Sequence, residues 1–166
     1  MLLTQAIHTL DALLHLVGPA TRVSAVCRSS GLRAIDTEDV ACATVQFRCG
    51  AVGVIDATTT AYPGYPERIE IAGSRGSAVI EAEKLTVHRA GKDTIEISGS
   101  SQGGGGADPM AFSHEWHRAL IDDFVDAIAS GREPLASGHS ALAVHALIDA
   151  MLESSLAQAP VAVVQG

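Results

Sequence analysis

The side chains here best suited to proton transfer, metal ligation or nucleophilic attack are seven histidines and three cysteines. Their spacing sorts them. His8 lies four residues after Thr4, three before Asp11 and seven before His15, so all four share one stripe if the segment is helical. An imidazole exchanges protons near neutral pH, and a carboxylate one turn away can orient it. On spacing alone, a histidine hydrogen-bonded at a helix-to-sheet junction is the favoured reading. His114, Glu115 and His117 form a second cluster, but a zincin needs two imidazoles four apart in His-Glu-x-x-His, and these are three apart with no third ligand indicated. Metal is therefore not expected. The chain contains no Gly-x-Ser-x-Gly elbow, and no serine or cysteine stands in a context that would activate a nucleophile.

The elements that must position these groups are legible from periodicity. Ile7, Leu10, Leu14 and Val17 recur at three and four residues, which predicts a helix over Leu2 to Val17, stopped by Gly18-Pro19. The period then changes to two. Strands are predicted at Val23 to Arg28, Val40 to Phe47, Val52 to Thr60, Arg68 to Ala72, Ala78 to Glu81, Leu85 to Arg89 and Thr94 to Ile97. Most of their separators are short turn signals, which join antiparallel neighbours, so one meandering sheet is expected. In Val40 to Phe47 the residues Ala41, Ala43, Val45 and Phe47 alternate with a mixed set, so one face should take helices and the other stay partly free. Tyr62-Pro63-Gly64-Tyr65-Pro66-Glu67-Arg68 interrupts the strands as a stiff aromatic segment that either lines a pocket or simply crosses over. Ser98 to Asp108, with four consecutive glycines, reads as a mobile loop and lacks the Gly-Lys-Ser/Thr ending of a phosphate loop. Helices are predicted over Phe112 to Ser130, with Ser113 as an approximate N-cap, and over Ser140 to Ala157. Both should cover the sheet, and Val161 to Val164 should add an edge strand.

Composition narrows the partners. The chain has 166 residues, 47% apolar and 18% charged, enough hydrophobe for a real core and too little charge for disorder. The net charge of −8 repels polyphosphate, so neither nucleic acid nor an anionic membrane is an expected partner. Thr4, His8, Asp11 and His15 interrupt the most apolar opening stretch, which argues against a membrane span and against a secretory signal. Cys27, Cys42 and Cys49 are odd in number and lack a CxxC pair. That argues against a disulfide framework and for a reducing, cytoplasmic compartment.

Leu2-Leu3-Thr4-Gln5-Ala6-Ile7-His8-Thr9-Leu10-Asp11, followed by Leu13-Leu14 and Gly18-Pro19, resembles the start of the C-terminal domain in the glucose-fructose oxidoreductase/inositol dehydrogenase/MocA (Gfo/Idh/MocA) family. Phe47 to Ala57 (FRCGAVGVIDA), Ile69 to Ile80 (IEIAGSRGSAVI) and Phe124 to Pro134 (FVDAIASGREP) are similar to further patterns of that family, in its order. The resemblance implies an α+β domain with an open, mostly antiparallel sheet, helices on one face and self-association through the other. It implies that His8 takes the proton of a substrate hydroxyl while the adjacent carbon gives hydride to a nicotinamide. Thr4, where many relatives have Asp or Asn, becomes a substrate-contacting position of altered chemistry. Tyr62, Arg68, His114 and His117 are candidates for shaping the pocket.

The same resemblance implies NAD or NADP in the full-length enzyme, held by a Rossmann domain whose Gly-rich turn and Glu-Lys-Pro lysine are not among these 166 residues. The expected reading is a single C-terminal domain over residues 1–166, inactive alone and binding no cofactor itself. It would serve substrate binding and oligomerisation, as a dimer or tetramer, in a dehydrogenase of sugars, polyols or related hydroxy compounds. The alternative is a non-catalytic dimerisation or ligand-binding module.

Overall fold

The computed structural model describes residues 1–99 and 114–164. The chain divides into two compact units, Met1–Tyr65 with Gly138–Gly166, and Pro66–Ser137.

The first unit opens with a π-helical turn, Leu2–Ala6, that runs directly into α1, Ile7–Val17. Gly18, at φ 100°, ends α1 in a conformation that suits glycine. Strands β1 (Ala20–Arg28), β2 (Val40–Phe47) and β3 (Val52–Thr58) then pair antiparallel, and β8 (Val161–Ala162) joins the far side of β1, giving the order β3-β2-β1-β8. The expected edge strand is therefore present, two residues long. On β2 the alternation is as read from the sequence: Ala41, Ala43, Val45 and Phe47 are buried, while Cys42, Thr44 and Gln46 face outward. The buried face carries small residues, Ala25, Ala41 and Ala43, beneath α3 (Gly138–Ala157), which lets the helix approach closely. Leu147, Ile148 and Met151 of α3 are fully buried there, with Leu2, Leu10 and Leu14 from the opening helix in the same core. By length and composition α3 matches a membrane span, but its buried stripe against β1 is that of a core helix.

The second unit holds a four-stranded meander, β4 (Arg68–Gly73), β5 (Gly76–Glu81), β6 (Lys84–Arg89) and β7 (Ile95–Ser98), and α2 (Glu115–Ser130). Register places Ile71, Ala78, Val87 and Ile95 in one row across the sheet, so one face is apolar. Arg68, Glu70, Glu81, Lys84 and Glu96 lie on the other, Arg68 pairing with Glu70 along β4 and with Glu81 on β5, and Lys84 with Glu96 on β7.

The α+β class holds, but two departures stand out. The strands form two four-stranded sheets instead of one meander, because the stretch from Thr59 to Glu67 contains Pro63 and Pro66, which have no N–H to give a ladder. The Tyr62-Pro63 peptide there is cis. On α2 the apolar stripe expected to cover a sheet is open among the described residues: Trp116, Leu120, Phe124 and Ile128 are all at least half exposed, while Ala127 is buried. Apolar periodicity shows that a helix has a face and does not show what covers it. The glycine-rich stretch and Ser113, expected as a mobile loop and an N-cap, lie outside the described residues; His114 occupies the N-cap position without a side-chain cap.

Candidate active site

His8 stands exposed in the first turn of α1, immediately after the π-helical turn, and so can meet a ligand. In that turn the Met1 carbonyl accepts the N–H groups of Thr4, Gln5 and Ala6 at 3.2, 3.0 and 3.4 Å and the Thr4 hydroxyl at 3.3 Å. Such widened turns are frequent at functional positions, since they re-aim the side chains that follow. Thr4 is exposed one turn before His8, so the structure keeps these two candidates together. Asp11 is also exposed but forms no hydrogen bond with His8 among the described residues. The orienting carboxylate expected from the spacing is thus not engaged here.

The opening turn is anchored by an acidic pair that precedes β2. Glu38 Oε1 accepts the Leu2 N–H at 2.7 Å and the Met1 ammonium at 3.0 Å, placing negative charge at the positive end of the helix. Burial alone raises the Glu38 carboxyl, but the Leu2 and Met1 donors outweigh it and hold it below its usual range. Asp39 is fully buried. It accepts the Ser30 N–H at 2.6 Å and the Ser30 hydroxyl at 2.8 Å, while its carbonyl accepts the Thr59 N–H and the Thr58 hydroxyl. Burial again pushes upward, and the Ser30 donors prevail, leaving the carboxyl lowered. Arg33 closes the arrangement by donating to the Thr59 carbonyl. These bonds tie the start of the helix, the β1–β2 connection and the exit of β3 into one end of the first sheet. Tyr62, 93% exposed, follows the exit of β3 two residues after Thr60.

Arg68, His114 and His117 belong to the second unit. The Arg68 guanidinium is engaged by Glu70 at 2.7 Å and Glu81 at 3.6 Å, and its pKa is raised chiefly by the bond to Glu70. The pair with Glu81 links β4 to β5 across the sheet. His114 and His117 are exposed at the start of α2. Among the described residues no three His, Cys, Asp or Glu side chains gather as a metal centre. The three cysteines are free. Glu38, Asp39 and Arg33 went unread in the sequence. The one available signal was an acidic pair immediately before a strand, which is equally common on plain surface loops.

Every pairing among the described strands is antiparallel, and the parallel strand-helix-strand unit that offers a helix N-terminus to a pyrophosphate is lacking there.

An antiparallel sheet with helices on one face in the first unit, and an antiparallel meander in the second, define the α+β class, with the opening helix presented at one end of the first sheet. A family model for the C-terminal alpha/beta domain of an oxidoreductase family matches residues 1–163, and the chain belongs to this Gfo/Idh/MocA family. It is 32% identical over 104 residues to myo-inositol 2-dehydrogenase of Thermotoga maritima, covering 60% of this chain and 29% of that protein. An oxidoreductase of Agrobacterium radiobacter, solved with NAD+, L-tartaric acid and magnesium, superposes with a TM-score of 0.80 at 25% identity over 98% of this chain and 49% of its own. Levoglucosan dehydrogenase in complex with NADH shares the fold, with a TM-score of 0.80, 24% identity and coverage of 98% and 50%. The chain thus spans about half the length of these solved relatives and less than a third of the myo-inositol enzyme.

Proposed function

We propose that this domain forms the substrate side of an NAD(P)-dependent dehydrogenase of sugars, polyols or related hydroxy compounds, with His8 as its acid/base. The observation that carries the reading is the exposed imidazole on the turn that Glu38 anchors, in a chain of this family. His8 would accept the proton of a substrate hydroxyl as that carbon is oxidised, and Thr4, one turn earlier, would hold a neighbouring hydroxyl through its own. Tyr62 would add an apolar wall with a polar tip, the surface a sugar ring favours. His114 and His117 are kept as pocket candidates of the second unit. NAD or NADP would be held by other polypeptide.

The test uses the 166-residue chain with its histidines labelled. Adding myo-inositol should shift the His8 imidazole resonances saturably, and Thr4→Val should weaken the effect. Saturable binding that leaves His8 unmoved would remove it from the site. In an assembly that turns over a polyol, His8→Ala should lower kcat about 100-fold or more, with KM changed less. Equal rates would end the assignment.

The outward face of the first sheet supports self-association. Val26, Val52 and Val54 are 53%, 79% and 80% exposed there, alongside Thr44 and Gln46. Such a face gains by pairing with a second copy. Sedimentation should show a dimer or tetramer, and Val54→Lys should shift it toward monomer. A monomer in the unmodified chain would refute this part.

A further inference from the structure

The tip of the second sheet concentrates positive charge in an acidic protein. Arg75 lies in the β4–β5 turn, Arg89 ends β6 and Lys92 lies in the turn that follows, and all three border an open cleft of about 830 Å³. None is ion-paired among the described residues, whereas Arg68, Lys84, Arg118 and Arg132 each have a carboxylate partner. Arg89 makes one long bond, 3.4 Å, to the Asp93 carbonyl. His88 reaches the same cleft and shares a 3.1 Å hydrogen bond with Thr94. No described residue bordering the cleft is acidic.

The backbone that carries Arg75 and Arg89 is fixed. Gly76 pairs directly with Arg89, and the Ala90 N–H donates to the Arg75 carbonyl at 3.1 Å, so the two turns are locked side by side. Gly76, at φ +145°, allows this approach, since a Cβ there would strike the His88 carbonyl oxygen. Behind the cations the cleft is floored by Ile71, Ala78 and Val87, direct cross-strand neighbours. A ligand that fits has a compact multivalent anion at one end and an apolar body at the other.

We propose that this tip is a binding site for a small organic phosphate, its phosphoryl group on Arg75, Arg89 and Lys92 and its body along Ile71, Ala78 and Val87. The site is independent of His8 and of any dinucleotide. Calorimetric titration of the full chain at low ionic strength, with phenyl phosphate, inorganic phosphate and phenol as probes, tests it. Phenyl phosphate should saturate one site per chain and bind about tenfold more tightly than inorganic phosphate, with phenol silent. Arg75→Gln with Arg89→Gln should weaken phenyl phosphate about tenfold or more, and Lys92→Gln, on an exposed turn, should weaken it severalfold while circular dichroism stays unchanged. Arg22→Gln should have no effect. The proposal is overturned if phenyl phosphate does not saturate, if inorganic phosphate binds equally well, or if binding survives both the double variant and Lys92→Gln.

Discussion

Strand β8 covers only Arg22 and Val23 of β1, so the N–H groups farther along that edge need other partners. Two serines of α3 supply them. Ser154 Oγ, buried, accepts the Ala25 N–H at 3.0 Å and donates to the Ala159 carbonyl at 2.7 Å. Ser155 Oγ accepts the Cys27 N–H at 2.8 Å and donates to the Cys27 carbonyl at 3.1 Å. Ser154→Ala removes only an oxygen but orphans a buried backbone donor, which costs about 1–3 kcal/mol, while the exposed Ala159 carbonyl can turn to water. At about 2 kcal/mol the midpoint of thermal unfolding should fall by roughly 4–8 °C for a chain of this size. Ser155→Ala should cost less, because Ser155 is only partly buried. Thermal denaturation gives the shift, and amide exchange at Ala25 and Cys27 locates it. A midpoint within about 1 °C of the parent, with the Ala25 amide still protected, would refute the claim that these serines finish the sheet edge.

Three further outcomes follow from the same geometry. Because the Glu38 and Asp39 carboxyls are lowered in the folded state, the unfolded chain binds protons first as pH falls. Their stabilisation is present above the ordinary carboxylate pKa, near ~4, and is lost as pH drops through the lowered folded values, so Asp39→Asn should flatten the acid limb of urea midpoints plotted against pH. Cys27 and Cys42 thiols are raised, Cys27 by burial and then Glu38, Cys42 by burial and then Asp56, which lies 3.7 Å from its sulfur. Iodoacetamide should label both slowly near neutral pH, and Asp56→Asn should hasten Cys42 alone. Gly76→Ala should destabilise the second unit by at least about 2 kcal/mol, through left-handed strain and collision, whereas Gly73→Ala, with its nearest contact at 3.7 Å, should be tolerated; equal midpoints for the two would contradict the turn geometry.

Local pattern was enough to find every helix and strand among the described residues, because each depends on a period or a turn that neighbouring residues carry. Val40–Phe47 shows this best: its alternation survives unchanged as buried and exposed faces. What local pattern lacks is partnership. Pro63 and Pro66 mark an interruption between Thr59 and Glu67 but do not say which strands pair after it, and nothing in the stripe from Trp116 to Ile128 says what lies opposite it.

The site divides along the same line. Helix geometry alone puts Thr4 and His8 on one stripe, while their candidacy as site residues comes from the family resemblance; Glu38 is thirty-six residues from the Leu2 N–H it accepts. Arg68 makes the same point: a cation beside an aromatic segment looks free in sequence, while in the fold it is engaged by Glu70 on its own strand and by Glu81 on the next. The same reasoning separates the tip cations from Arg68 and Lys84 on the same sheet. Arg75, Arg89 and Lys92 stand where the meander turns, and there the cross-strand pairing that satisfied Arg68 and Lys84 gives way to turn residues with no carboxylate opposite. Charge left unpaired by the fold in this way is available to a ligand, which is why the tip and the polar face of one sheet differ in function while sharing its strands.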